Sequence, residues 1–232
     1  MNKKLITISV IFVLVIAIVG TTIAMLIPLL KTENKSNVKT YTVSFYSYGK
    51  LLETQKVEEG KGANPPETEL FIDKIFTGWD KDISCIKSDL EVNAVFKELG
   101  ENENIFVVEN AYLKIGKEVV VNVDLRGKVE LATADFIVNY DKEKLKLKEV
   151  KYADAGIEHN SLEKKGQIKC SLMAWENITG EVDCLQLVFE KTKKDFSKCD
   201  ITVEVDNASK IVNDKIVDAP YNTINGSVTV LN

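Results

Sequence analysis

The stretch from Leu131 to Tyr152 alternates twice. Ala134, Phe136, Val138 and Tyr140 share one side of an extended chain, and Thr133, Asp135, Ile137 and Asn139 share the other. After the polar turn Asp141-Lys142-Glu143-Lys144, Leu145 and Leu147 alternate with Lys146 and Lys148. Successive side chains leave a strand on opposite faces, so this period of two predicts two β-strands, each with one apolar face. A short polar turn between them predicts an antiparallel ribbon. A two-stranded ribbon is marginal in water, so it has to belong to a larger sheet.

The residues after Asn104 supply that sheet. Val119, Val121, Val123 and Leu125 alternate with Glu118, Val120, Asn122 and Asp124. Gln167–Trp175 and Val182–Lys191 predict a second hairpin, with its turn at Glu176–Gly180. Asp200–Asp206 and Gly226–Leu231 predict closing strands, and Asp154–Gly166 reads as a polar connection. Roughly eight or nine short strands without an amphipathic helix pattern predict a β-sandwich over residues 105–232.

A second β-rich module is predicted over residues 40–98. Tyr41, Val43 and Phe45 alternate, Gly49 marks a turn, and Leu51–Val57 is a return strand. Two prolines, Pro65 and Pro66, place Gly62–Pro66 in a loop. Phe76–Asp80 and Leu90–Lys97 give later strands, with Trp79 read as a core residue. Leu99–Asn104 is charged and polar and reads as the boundary between modules; residues 32–39 read as a spacer.

Residues Leu5–Leu30 carry no charge. As a helix they span about 39 Å, enough to cross a hydrocarbon core of ~30 Å with tilt. Lys3 and Lys4 precede them and favour a cytoplasmic N-terminus. The expectation is a signal anchor over residues 1–31, with the rest of the chain outside the cell. Cleavage after Thr22-Ile23-Ala24, giving a secreted protein, is the alternative. The chain has 232 residues, 45% hydrophobic and 28% charged, with a net charge of -5. The acidic excess deepens once Lys3, Lys4 and Lys31 are set aside, which excludes nucleic acid as a partner.

The four cysteines, Cys85, Cys170, Cys184 and Cys199, form no C-x-x-C pair. With a single histidine, no metal-ligand spacing is present and no cofactor is expected. Cys170 falls on the face of Ile168 and Leu172, and Cys184 falls opposite Leu185, Leu187 and Phe189. Opposite faces rule out a bridge, so all four are read as reduced. His159 lies between Glu158 and Asn160 and reads as a solvated loop residue rather than a catalytic base. No phosphate loop or EF-hand pattern occurs. No catalytic residues are assigned, and the chain is not expected to be an enzyme.

Leu131-Ala132, Asp135-Phe136, Val138, Tyr140-Asp141, Leu145, Leu147 and Val150 stand at spacings that resemble the opening of a cohesin domain. Ile115-Gly116-Lys117 and the closing Ile224–Val230 extend the resemblance over residues 105–232. The resemblance implies a nine-stranded jelly-roll sandwich, with one flat sheet face receiving the helices of a dockerin. The family's Asn-x-Asp corresponds to Thr133-Ala134-Asp135, with Asp135 kept and the Asn replaced by Thr133. The family's second binding loop corresponds to Ala174–Gly180, where this chain has an extra residue and carries Trp175 and Glu176. Thr133, Asp135, Trp175 and Glu176 are therefore the candidate partner-binding residues. Earlier in the chain, Val43 and Phe45, then Gly60, Ala63 and Pro66, then Phe76-Thr77-Gly78-Trp79, then Val92, Ala94 and Phe96 resemble an internalin-type B-repeat. This β-grasp-like unit implies an exported spacer.

The expected function is a membrane-anchored, cell-surface, non-catalytic binding module that docks an exported, dockerin-bearing partner in polysaccharide-related assembly. The alternative is a carbohydrate-binding module or adhesin on the same fold, with Trp175 and Tyr112 as stacking residues.

Overall fold

The alternating runs fold as strands in the computed structural model, which describes residues 38–69, 71, 74–100, 104–127, 130–152, 157–162 and 165–232. The expected anchor at Leu5–Leu30 lies outside these residues. Among the described residues, no helix is long and apolar enough to cross a membrane.

The first four strands are β1 (Thr40–Ser47), β2 (Lys50–Glu58), β3 (Lys74–Trp79) and β4 (Leu90–Glu98). They form a sheet in the order β2-β1-β4-β3. Tyr48 and Gly49 both take positive φ, 47° and 77°, so the β1–β2 turn has the backbone twist that a two-residue hairpin requires. Val43, Phe45, Ile83, Ile86 and Val92 form the core of this sheet. Trp79 packs edge-on to Phe45 at 4.9 Å between centroids, as its core assignment requires.

The remaining strands are β5 (Asn104–Val108), β6 (Ala111–Lys114), β7 (Glu118–Gly127), β8 (Glu130–Tyr140), β9 (Leu145–Tyr152) and β10 (Ile157–Leu162). They are followed by β11 (Gln167–Thr179), β12 (Val182–Lys191), β13 (Lys198–Val212), β14 (Lys215–Asp218), β15 (Tyr221–Ile224) and β16 (Gly226–Leu231). One sheet runs β10-β11-β8-β13-β16-β6, with β14 paired to β13; the other runs β15-β5-β7-β12-β9. Among the described residues the sandwich thus holds twelve strands rather than nine. Part of the expected polar connection 154–166 is strand β10, and β14 and β15 lie in the interval before Gly226 that alternation left blank.

The two expected hairpins are not formed. β8 pairs with β11 and β13, and β9 pairs with β12 in the other sheet. β11 and β12 separate in the same way. Each turn carries the chain from one sheet to the other, so that two apolar faces meet across the core instead of lying side by side. The β8–β9 turn is held locally: the Lys144 and Leu145 amides donate to Asp141 O at 3.0 and 2.9 Å, and the Glu143 amide donates to Asp141 Oδ1 at 2.9 Å. Gly166 packs beneath it, and its carbonyl accepts the Tyr140 amide at 2.9 Å.

The inner faces bury Phe136, Val138, Ile168 and Val203 against Val121, Val123, Leu187 and Phe189. Two aromatic pairs cross the core, Phe106–Phe136 at 5.3 Å and Tyr140–Phe189 at 5.0 Å. Apolar burial of this kind contributes about 25 cal/mol per Å². Cys184 corrects its assignment. A register shift between Asp183 and Leu185 turns both Cys184 and Leu185 inward, where they are buried beside Cys170 in the same core. All four cysteines are free thiols. Burial pushes Cys170 and Cys184 up to about 12, which keeps both protonated and unreactive.

Lys39–Asn232 forms one unit. Strand β5 is buried along its whole length: Phe106 and Val108 join the sandwich core, while Ile105 and Val107 pack with Ile75 and Leu99. The segment read as a boundary is therefore packed at both described ends. Asn104 is buried and donates to Pro220 O at 2.8 Å. Asn110 Nδ2 donates to Thr77 O at 2.7 Å, and the Gly62 amide donates to Asn232 O at 3.1 Å. Tyr112 packs on the core of the first sheet, which corrects its assignment as an outward stacking residue.

One carboxylate, Asp124 on β7, is 2% exposed. Arg126 donates to its Oδ2 at 3.0 Å and to Asp183 Oδ1 at 2.9 Å. Burial nonetheless pushes the Asp124 carboxyl up to about 8, opposed by Arg126 and reinforced by Glu109 and Asp183.

Two predictions follow from this packing. Gly166 has φ of 68°, and a Cβ there would meet Tyr140 O at 2.3 Å; Gly166→Ala is expected to cost about 2 kcal/mol or more in urea unfolding. Burial holds the Asp124 carboxyl above the value near 4 that it has in the unfolded chain, so the folded chain binds that proton more tightly. The stability this contributes is complete below about pH 4 and is lost as pH rises towards 8. The urea midpoint should fall across that window, and Asp124→Asn should flatten the fall.

Candidate partner-binding face

The outer face of the larger sheet is built from the polar half of the alternation in β8. Asp135 stands in register with Ser171 on β11 and with Asn207 on β13. Ser171 Oγ donates to its Oδ1 at 2.6 Å, and Asn207 Nδ2 donates to its Oδ2 at 2.7 Å. Both hydrogen bonds favour the charged form, so they hold the Asp135 carboxyl below the usual carboxylate range, Ser171 contributing most. Two outward positions along, past Ile137, Gln167 Nε2 donates to Asn139 Oδ1 at 2.9 Å, and Asn139 Nδ2 donates to Glu204 Oε1 at 3.2 Å. Two polar ladders therefore cross the sheet, each side chain fixed by its neighbour.

Beyond the Asp135 ladder the face changes character. Thr133 is half-buried, in register with Met173 and Ser209. Between Met173 and Ile178 the register of β11 shifts against β8, and Trp175 and Glu176 project from that bulge. Trp175 is 98% exposed and Met173 72%. The bulge is tied down by Asn177, whose Nδ2 donates to Ile211 O at 2.8 Å and whose Oδ1 accepts the Ile211 amide at 2.7 Å. This exchange ties the segment bearing Trp175 to the β13–β14 hairpin, where Ile216 is 71% exposed.

No family model matches the chain, and no curated protein matches it. Solved structures do. The seventh ScaB type I cohesin from Pseudobacteroides cellulosolvens is 22% identical, with a TM-score of 0.50 over 55% of this chain and 92% of its own. A type I cohesin from Clostridium thermocellum, solved in a cohesin–dockerin complex, is 19% identical, with a TM-score of 0.50 over 56% of this chain and 99% of its own.

The sandwich has a cohesin-like fold.

In this cohesin-like sandwich, Thr133, Asp135, Trp175 and Glu176 all lie on the larger sheet, on β8 and β11. Alternation placed Asp135 and Trp175 outward, and both are so. It gave the Ala174–Gly180 stretch as a loop, whereas β11 continues through Thr179 as a bulged strand. Sequence reasoning missed the two residues that orient Asp135. Ser171 was legible as an outward position, being opposite in phase to Cys170. Asn207 was not, because a register shift between Val205 and Asn207 breaks the alternation of β13. His159 is a correction: it lies on edge strand β10 in register with Cys170, not in a loop. Among the described residues, no group of His, Cys, Asp and Glu is arranged to hold a metal ion.

Asp135→Ala removes two hydrogen bonds but leaves Ser171 and Asn207 exposed to water. The expected loss is about 1 kcal/mol in urea unfolding at neutral pH. Because the depressed carboxyl contributes only when ionised, the difference between the two proteins should shrink as pH falls below about 4.

Proposed function

We propose that the chain is a non-catalytic docking module at a cell surface, whose cohesin-like sandwich receives a dockerin on an exported partner through the outer face of the larger sheet. The observation that carries this reading is the pairing, on one face, of a pre-oriented ionised carboxylate with a projecting aromatic. Asp135 is held by Ser171 and Asn207, and Trp175 is exposed on a bulge fixed by Asn177. A carboxylate already oriented by two hydrogen bonds loses little side-chain freedom on meeting a partner's donors, and an exposed Trp on a rigid support is a common centre of binding energy. The solved cohesin–dockerin complex supports the partner's class by likeness of fold alone. In the same reading Leu5–Leu30 anchors the chain in the membrane, and residues 40–98 act as a spacer of B-repeat type.

A second reading is a carbohydrate-binding module or adhesin. The Trp175 ring, 98% exposed, has the free flat face on which a sugar can stack; Tyr112, packed on the first sheet, offers none.

The test is retention, on the immobilised full chain, of dockerin-bearing proteins exported by the same cell, with and without a calcium chelator. The expected outcome is chelator-sensitive retention, weakened about tenfold or more by Asp135→Ala and by Trp175→Ala. Retention of polysaccharide that is lost on Trp175→Ala moves the assignment to the glycan reading. Dockerin retention unchanged by both substitutions removes this face from the site.

A further inference from the structure

The first sheet does not lie flush on the sandwich. A cleft of about 720 Å³ separates residues 65–69, 71 and 74–79 from the outer face of β5, β7 and β12. Its size is within the range of ligand-binding sites, and its two walls differ in chemistry. Phe71, Phe76 and Trp79 line one side together with Glu67 and Glu69, the latter paired with Lys50 at 2.8 Å; Glu109, Glu118, Asp124, Glu181 and Asp183 line the other.

Seven carboxylates line the cleft against two cations, Lys74 and Arg126. Both cations are already engaged. Arg126 bridges Asp124 and Asp183, and Lys74 pairs with Glu98 at 3.6 Å and lies over the Tyr48 ring at 4.9 Å. Among the described residues, Glu118 and Glu181 have no ion-pair partner within 4.0 Å, although Arg126 lies within Coulombic reach of Glu181. The wall also holds an unmet acceptor: Asn122 Nδ2 donates to Glu109 Oε2 at 2.9 Å, but Asn122 Oδ1 is buried without a partner. Burial raises the Asp124 carboxyl first, and Glu109 and Asp183 beside it add to that rise against Arg126.

We propose that the cleft binds a basic peptide segment laid along β7, with one lysine ammonium at Glu118, a second at Glu181 and Asp183 about 20 Å away at the other end of the strand, and the apolar stems along Phe76 and Trp79 between them. An aromatic wall facing an acidic one suits a side chain whose apolar stem ends in a cation. An amino sugar carries its cation directly on a hydroxylated ring, with no stem for the aromatic wall. A neutral glycan leaves the excess carboxylates uncompensated. The site is separate from the outer face of the larger sheet and does not depend on what that face binds.

The test is calorimetric titration of the full chain with trilysine. Trp79 and Trp175 are the two tryptophans of the sequence, so the Trp175→Phe variant leaves Trp79 as sole reporter of the cleft. The expected result is saturable binding, a matching change in Trp79 emission, and loss of affinity as salt is raised. The double variant Glu118→Gln/Glu181→Gln, shown folded by circular dichroism, should bind about tenfold more weakly. No saturable heat, equal binding of Nε-acetylated trilysine, or unchanged affinity in the double variant overturns the proposal. Binding of a glucosamine or N-acetylglucosamine trimer in preference to trilysine also overturns it and assigns the cleft to a glycan.

Discussion

A sheet with one apolar face has to bury that face, and the fold turns on how this chain does so. β8 and β11 on one side and β7 and β12 on the other bring Phe136, Val138 and Ile168 against Val121, Leu187 and Phe189. The pairs Phe106–Phe136 and Tyr140–Phe189 span the interior. Each turn that steps between sheets, such as the one capped by Asp141, exists because its two strands are complementary across the core. Once the inner faces are spent on each other, the two outer faces are left to diverge.

They diverge strongly. The outer side of the smaller sheet is met by the first sheet. Ile105 and Val107 pack on Ile75, which explains why β5 is apolar at successive positions rather than alternately. The same junction is tied by Asn110 to Thr77 and by Gly62 to Asn232. The outer side of the larger sheet has the opposite composition. Polar ladders centred on Asp135 and Asn139 satisfy one another across three strands, and the exposed apolar groups concentrate where β11 bulges. A surface whose polar groups are pre-oriented and whose apolar groups are gathered at one end differs from a merely solvated face, and that contrast is why function is assigned to this side.

Charge follows the same division. Around Asp135 the hydrogen bonds come from neutral donors and leave an ionised carboxylate at the surface. Around Asp124 the carboxylates crowd one another behind Arg126, and burial raises the Asp124 carboxyl above its ordinary range. The first arrangement leaves a fixed negative charge at the surface; the second gathers acidic groups in a cleft between two layers.

The sequence by itself determined the strands and which side of each is apolar. The phases read for β7, β8 and β9, the core role of Trp79 and the outward direction of Asp135 and Trp175 all followed from a period of two. That period is a local property of the extended backbone. What each strand lies beside is a long-range property, and only the tertiary structure decided it. The two expected hairpins became sheet-to-sheet crossings because alternation specifies a face and not a neighbour. Phase was also lost wherever a bulge intervened. The shift at Asp183–Leu185 turned Cys184 inward, the shift at Val205–Asn207 hid Asn207, and the bulge after Met173 kept Glu176 on a strand instead of in a loop. Tyr112 was misread for a related reason. Its face is outward only with respect to the sandwich, and the sheet that covers it comes from residues far away in the chain.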